Sequence, residues 1–210
     1  MKKIILLVQA AAILSCSKNE KLPTMIENNT DTAVAFSPTP PHSDVQTQNL
    51  KDINREILQI LKQKNYRALA HFIHPQKGVL FSMYSYVDPK EDKVFTREDF
   101  LKYINSQIKF TWGHKDGSGD IYQTSLQNYL SDWVYKRDFS AGEYFENEIK
   151  GRGNTLVNIS KVYPQAVFTE NYIPGTEQYS FMDWNSLRLV FEKVENKYYL
   201  VAIVNDQWTV

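Results

Sequence analysis

The sequence has very little cysteine, no excess of either charge and few histidines, and each shortage excludes a class of protein. One cysteine among 210 residues cannot form an internal disulfide, and four histidines allow at most a sparse metal site. Lys and Arg together number 24, as do Asp and Glu, so the positive excess typical of nucleic-acid-binding proteins is missing. We therefore predict no nucleic-acid partner, no metal and no cofactor. A hydrophobic share of 42% nevertheless indicates a globular chain rather than a disordered one.

Long apolar runs are also scarce, and the longest lies at the N-terminus. It extends from Ile4 to Leu14, is interrupted only by Gln9, and follows the basic start Met1-Lys2-Lys3. A helix that spans a bilayer needs roughly 20 apolar residues, so this run is too short to do so. A basic start followed by a short apolar core is typical of a secretory signal peptide, which we predict over residues 1–15.

The single cysteine follows this run directly. The segment Ile13-Leu14-Ser15-Cys16 resembles the lipobox of bacterial lipoproteins, and the resemblance implies that Cys16 is the first residue of the mature chain and carries lipid. Because each buried CH₂ contributes about 0.8 kcal/mol, several acyl chains would hold the protein on a membrane. Ser17 resembles the outer-membrane sorting signal, so we expect a lipid-anchored protein of the bacterial cell envelope. The alternative is an ordinary secretory signal with a chance cysteine.

Residues 16–48 have the composition of a flexible tether. They contain four of the eight prolines but only one of the 24 Phe and Tyr residues, namely Phe36. Such a segment buries too little apolar area to offset the entropy lost on ordering. An extended arm packed on the domain is the alternative.

Periodicity predicts several helices and strands in a single domain over 49–210. Apolar residues at helical spacing predict helices over 48–64, 66–73 and 126–134, and Thr96 is placed to cap a helix over 97–106. Thr124 and Gln127 are the expected capping pair of the helix over 126–134. Strand patterns cover 78–87, 155–163 and 166–170, and a hairpin is expected over 186–194 and 197–204 around Glu195-Asn196.

Helices first and long strands last indicate an α+β fold. The helix pair Ile53–Ile73, the strand from Val79 and the hairpin Leu187–Val204 together resemble the nuclear transport factor two-like superfamily. The resemblance implies N-terminal helices packed on a curved, mostly antiparallel sheet, cone-like in shape and holding a pocket. The segments 74–79, 112–119 and 205–209 more narrowly resemble a group of uncharacterised bacterial lipoproteins, which implies location but no activity.

The glycine-rich segment 112–120 is the first candidate site. Asp116, Ser118 and Asp120 alternate as oxygen donors, as at the start of a calcium loop, but the bidentate Glu of an EF-hand is absent. Asp, Gly and Ser are also ordinary turn residues, so a surface loop is the first interpretation. A ligand-contacting loop that uses Trp112, His114 and Asp116 is the second.

Two further groups of residues are weaker candidates. His71 and His74 are three apart and could share a metal, but no third ligand is evident, and polar residues at a helix end are the first interpretation. Asp183 precedes Trp184, and burial against an aromatic ring can raise a carboxyl pKa, as a general acid in a pocket requires. For Trp112, Trp184 and Trp208, a core or rim position is the first interpretation and a ligand platform the second.

We therefore expect a non-catalytic binding or interaction domain, held on the membrane by its lipid. Its partner would be a small molecule or an envelope protein, and the oligomeric state is open. The alternative is a small cone-fold enzyme that acts on an envelope-associated substrate, with ionisable groups converging at the base of an apolar pocket. A structural partner in an envelope assembly is a third interpretation, and it requires a large exposed apolar patch.

Overall fold

The computed structural model describes residues 49–210. The predicted signal peptide, Cys16 and the tether up to residue 48 lie outside this range. Between residues 49 and 210, no helix has both the length and the apolar character needed to cross a bilayer. The helices are α1 (Leu50–Lys62), α2 (Tyr66–Leu69), α3 (Arg97–Tyr103), α4 (Leu126–Tyr129) and α5 (Ile159–Val162), and the strands are β1 (Val79–Ser82), β2 (Lys93–Phe95), β3 (Lys109–His114), β4 (Ile121–Ser125), β5 (Glu143–Glu146), β6 (Val167–Ile173), β7 (Asn185–Val194) and β8 (Lys197–Gln207).

The first helices begin where their capping residues indicate. The Asn49 side chain accepts the N–H of Lys51 at 3.0 Å and starts α1. Thr96 caps α3 as predicted, because its hydroxyl oxygen accepts the N–H of Asp99 at 3.0 Å. Its hydroxyl also donates to the Asp99 carboxylate at 3.0 Å, although α3 ends at Tyr103 rather than near 106.

The predicted cap of the fourth helix is wrong. Ser125, not Thr124, accepts the N–H of Asn128, at 3.3 Å. Thr124 belongs to β4, where its carbonyl accepts the indole N–H of Trp112 at 3.0 Å. The helix itself is short, and a π-helical turn over Leu130–Val134 completes the predicted segment.

Six strands form the main sheet in the order β2-β1-β8-β7-β6-β5, and β3 pairs with β4 in a second sheet. Only the pairing of β1 with β8 is parallel, so the predicted α+β class with a mostly antiparallel sheet is confirmed. The hairpin β7-β8 is also confirmed. Glu195 and Asn196 have φ of 48° and 66°, the conformation that suits a two-residue turn between twisted strands.

One predicted strand is shorter than expected and another is absent, because side chains bind the backbone instead. β1 ends at Ser82, since the Ser82 hydroxyl bonds to the carbonyls of Tyr84 and Tyr86 at 2.9 and 3.0 Å and turns the chain. No strand occurs over 155–163; this segment contains α5. The Asn158 side chain there accepts the N–H of Val87 at 2.8 Å and donates to its carbonyl at 2.9 Å, in place of strand pairing.

The main sheet is covered on both faces. One face packs under α1–α4 and the β3-β4 hairpin, through Leu187, Leu189 and Phe191 of β7. The other face packs under α5 and the segment before it, through Val190 and residues of β8. The face under the helices is filled by closely packed side chains, where the resemblance implied a pocket: Ile57, Leu61, Leu69, Phe81, Phe100, Tyr129 and Phe191, each at most 1% exposed.

A buried arginine lies on the second face. Arg188 of β7 is 0% exposed, directly opposite Glu170 of β6 (0% exposed) and near Asp206 of β8 (2% exposed). Its Nη2 lies 2.8 Å from the Glu170 carboxylate and 3.0 Å from that of Asp206. Nη2 also donates to the Gly151 carbonyl at 2.6 Å, and Nη1 donates to the Ser85 hydroxyl. One buried cation thus joins three strands and the covering segment.

The carboxylates of this cluster are hydrogen-bonded as well. Glu170 accepts the backbone N–H groups of Lys150 and Gly151 and the Ser186 hydroxyl. Asp206 accepts the Ser85 hydroxyl. Burial raises the pKa of Asp206, and its neighbour Arg188 counters part of that effect.

Replacement of Arg188 by Met should strongly destabilise the protein. The variant leaves the Glu170 and Asp206 carboxylates buried without their cation, which costs roughly 3–5 kcal/mol in comparable cases. Urea unfolding at pH 7 measures the loss of free energy of unfolding. Because protonation relieves buried carboxylates, the deficit should shrink as the pH falls.

Arg152→Met, which removes an exposed arginine two residues from the Lys150 amide, is the matched control. If the two variants had similar urea midpoints, the buried Arg188 cation would not be what holds the sheet together.

Candidate functional site

Trp112 is a core residue and not an exposed ligand platform. It is 3% exposed, and its ring stacks on that of Tyr129 with centroids 3.6 Å apart. Its indole N–H is already used by the Thr124 carbonyl. Trp112 is therefore not available to a ligand, as the interpretation of segment 112–120 as a ligand-contacting loop required.

His114 and Asp116 are exposed on the turn between β3 and β4. The His114 Nδ1 lies 3.0 Å from the Gly119 carbonyl oxygen, within the turn itself. The Asp116 carboxylate accepts the backbone N–H of Val210 at 2.6 Å, and the Asp116 N–H donates to the Tyr84 hydroxyl at 2.8 Å. These bonds organise a surface turn, which was the first interpretation. Residues 49–210 contain no group of three or more His, Cys, Asp or Glu side chains suited to hold a metal ion.

The pKa expected for Asp183 is wrong. Its carboxylate accepts the N–H of Thr176 at 2.6 Å and the Thr176 hydroxyl at 3.1 Å. These bonds stabilise the charged form and lower the pKa of Asp183 instead of raising it, so the residue is unsuited to act as a general acid near neutral pH. Trp184 is 5% exposed and packs against Gly151, where an added Cβ would lie 2.7 Å from its ring.

The structure does not bring the candidates into one site. No hydrogen bond or ring contact within 49–210 joins Trp112, His114 or Asp116 to Asp183 or Trp184. His71 is exposed, whereas His74 is buried, and the Nδ1 of His74 accepts the N–H groups of Gln76 and Lys77 at 3.2 and 3.0 Å. Burial lowers the pKa of His74.

Asp92 is a titratable residue that sequence reasoning missed. Burial raises its pKa from 3.8 to about 6, and its carboxylate accepts the Asp88 N–H at 2.8 Å. Asp88 lines a cavity of about 600 Å³ together with Lys161, but Asp92 itself does not. In the sequence, Asp92 is one acidic residue among the charged residues of segment 88–93, and nothing in that pattern signals burial.

A polar cleft between α1 and β5 is the most developed candidate site. It has a volume of about 400 Å³ and no carboxylate among its lining residues, which are Lys51, Asn54, Arg55, Leu58, Gln59, Phe139, Ser140, Gly142, Tyr144 and Asn171. The helical periodicity of α1 buries Ile53 and Ile57 in the core and leaves Lys51 and Arg55 exposed at the cleft.

Two interlocked carboxamides line this cleft. Asn54 and Asn171 are 3% and 2% exposed. The Asn54 Nδ2 donates to the Asn171 Oδ1 at 2.8 Å, and the Asn171 Nδ2 donates to the Asn54 Oδ1 at 3.0 Å. Asn171 also donates to the Leu187 carbonyl at 3.2 Å, and the Thr169 hydroxyl donates to Asn54 at 2.7 Å. These bonds fix both side chains, so the amides are pre-organised.

The two cationic side chains of the cleft, Lys51 and Arg55, each have one partner nearby. The Lys51 Nζ lies 5.5 Å from the centre of the Tyr144 ring, within cation–π range. Arg55 pairs with Asp52, but both side chains are more than half exposed, so the pair is weak. A ligand anion could therefore compete for Arg55.

Comparison with known proteins adds little to this geometry. No family model matches the sequence, and no curated protein is similar to it. Among solved structures, a DUF4783 family protein from Bacteroides ovatus is 10% identical, with coverage of 72% of this chain and 91% of that chain. The TM-score is 0.26, a level at which the likeness carries no argument about function.

The raised pKa of Asp92 predicts how the stability of the protein changes with pH. Stability gained from the protonated carboxyl is fully present below its ordinary pKa of 3.8 and is lost as the pH rises through about 6. The wild type should therefore lose stability relative to Asp92→Asn between pH 4 and about 6, with no further relative change above that range. Urea midpoints across this range measure the difference.

Asp120→Asn is the control, since Asp120 is exposed. If the urea midpoints of the wild type and Asp92→Asn differ by the same amount at every pH, the pKa of Asp92 is not raised in the folded protein.

Proposed function

We propose that this protein is a lipid-anchored lipoprotein of the bacterial cell envelope, with a binding domain on a tether, and that the α1–β5 cleft is its ligand site. The observation that carries the binding role is the pair of fixed carboxamides beside two cationic side chains, Lys51 and Arg55. The anchor rests on the run Ile13-Leu14-Ser15-Cys16 after a short apolar segment. The order of helices and strands supports a nuclear transport factor two-like domain as part of the same proposal.

The chemistry of the cleft favours a small hydroxylated organic anion. Lys51 and Arg55 supply positive charge, and the Arg55 guanidinium can bind a carboxylate through two parallel bonds. Within 49–210, Asn54 uses one of its two amide N–H groups, and the Asn171 carbonyl oxygen accepts one bond. The remaining donor and lone pair suit hydroxyl groups. An acidic sugar combines both features.

An enzyme is the second candidate, and Asp92 is the observation that favours it. A carboxyl with a pKa of about 6 can serve as a general acid or base near neutral pH. Asp92 is not a lining residue of the adjacent cavity, however, and none of the cavities described here combines a carboxylate with a histidine. The binding role therefore has the stronger geometric support.

Mass spectrometry of the protein from bacterial membranes tests the anchor. The N-terminal peptide should begin at Cys16 and carry acyl chains, because the lipobox directs both cleavage and lipidation there. Cys16→Ser should abolish this acylated peptide, whereas Ser17→Ala should retain it. A free Cys16 thiol that reacts with iodoacetamide would contradict the proposal.

Titration of the full chain with glucuronate tests the cleft, with glucose as the uncharged control. We expect glucuronate, and not glucose, to shift the side-chain amide NMR signals of Asn54 and Asn171. Combined replacement of Lys51 and Arg55 by Gln should weaken binding about tenfold, about 1.4 kcal/mol, by removing the charge-assisted bonds.

The matched control, which also loses two positive charges, is the combined replacement of Lys197 and Arg152 by Gln; both residues are exposed and make no side-chain hydrogen bond or ion pair within 49–210. Equal shifts by both sugars, or equal affinity in the cleft variant and this control, would reject the cleft as an anion site.

A further inference from the structure

A second cavity lies between α2 and the start of α3. It has a volume of about 380 Å³, within the range of small-molecule sites, and its lining contains three basic side chains and no acidic one: Arg67, Ala68, Ala70, His71, Arg97 and Leu101. It shares no lining residue with the α1–β5 cleft. It is therefore independent of the function proposed above.

Local protein partners do not neutralise the basic groups of this cavity. Among the ion pairs and side-chain hydrogen bonds within 49–210, none involves Arg67 or His71. The nearest carboxylates in sequence to Arg97 are Glu98 and Asp99, and neither lines the cavity. Asp99 is already bound to the Thr96 hydroxyl. The lining of the cavity thus combines basic side chains with no carboxylate, which favours an anionic ligand.

Arg97 is the fixed element of this cluster. Its Nη2 donates to the Ile73 carbonyl at 2.7 Å, and its guanidinium carbon lies 6.0 Å from the centre of the Tyr199 ring. Its Nε is buried and has no hydrogen-bond partner among the residues described. A buried N–H without a partner is unfavourable, so the Arg97 guanidinium retains donor capacity that the described residues do not use.

We propose that this cavity binds the phosphate group of a small phosphorylated molecule. Two guanidinium groups and an imidazole present several N–H donors, and a tetrahedral phosphate offers enough oxygens to accept bonds from more than one of them at once. A carboxylate has only two oxygens and would satisfy fewer of these groups. Arg97 anchors the anion, and the more exposed side chains of Arg67 and His71 contact it as well.

Calorimetric titration of the full chain with inorganic phosphate, at constant ionic strength and pH 7, tests this site. We expect saturable binding with one phosphate per chain and weaker binding of acetate. Arg67→Gln should weaken phosphate binding about tenfold, about 1.4 kcal/mol. The Arg67 side chain is exposed and makes no ion pair or side-chain hydrogen bond within 49–210, so this variant should keep the wild-type urea midpoint.

Arg152→Gln, which removes an exposed arginine elsewhere, is the charge-matched control and should bind phosphate normally. Arg97→Lys, which retains the charge but not the fork of donors, should also weaken binding. Absence of saturable binding, or an equal effect of the Arg67 and Arg152 variants, would overturn the proposal. Because these variants leave the α1–β5 cleft intact, glucuronate binding should not change.

Two further binding experiments distinguish a soluble phosphate ester from a lipid headgroup as the ligand. Glycerol 3-phosphate represents a soluble ester, and phosphatidylcholine vesicles with and without phosphatidic acid represent a lipid headgroup. Competition with inorganic phosphate by the soluble ester alone supports a small molecule, as proposed. Binding only to the vesicles that contain phosphatidic acid would overturn that choice of ligand.

Discussion

The burial of the Arg188 charge constrains much of the main sheet. A guanidinium with no solvent access is tolerable only when carboxylates and acceptors surround it, and these come from β6, β8 and the segment that contains Gly151. The register that places Glu170 opposite Arg188 is therefore also the register that satisfies the charge. Close contact with Trp184 requires a residue without a side chain at 151, so the covering segment is fixed as well.

The alternation of side chains along β6 connects this cluster to the candidate ligand site. Thr169 and Asn171 face α1, whereas Glu170 between them faces Arg188. β6 thus supplies a carboxamide that lines the cleft on one face and the counter-ion of Arg188 on the other. A shift of one residue in the pairing of β6 with β7 would exchange these faces and place Glu170 in the hydrophobic core under the helices.

Local patterns predicted the parts of the fold that depend on neighbouring residues. The periodicity of α1, the cap at Thr96 and the turn at Glu195-Asn196 are such features. The buried cluster could not be predicted, because Arg188 and Glu170 are distant in sequence and each resembles a solvent-facing residue of an alternating strand. The cleft was missed for a related reason: the exposed side chains of α1 gave no indication that β5 and β6 pack beside them. A core or rim position was the first expectation for Trp112, but its partner could not be predicted, because Tyr129 lies on another element.

The position of β8 has a consequence for the order of assembly. This last strand lies between β7 and β1, with a parallel partner from near the start of the described range. The centre of the sheet therefore forms only when strands from opposite ends of the described range meet, and α1 cannot cover a completed surface before then. Pairing of β1 with β8 is slow, because bringing together strands so far apart in sequence costs loop-closure entropy.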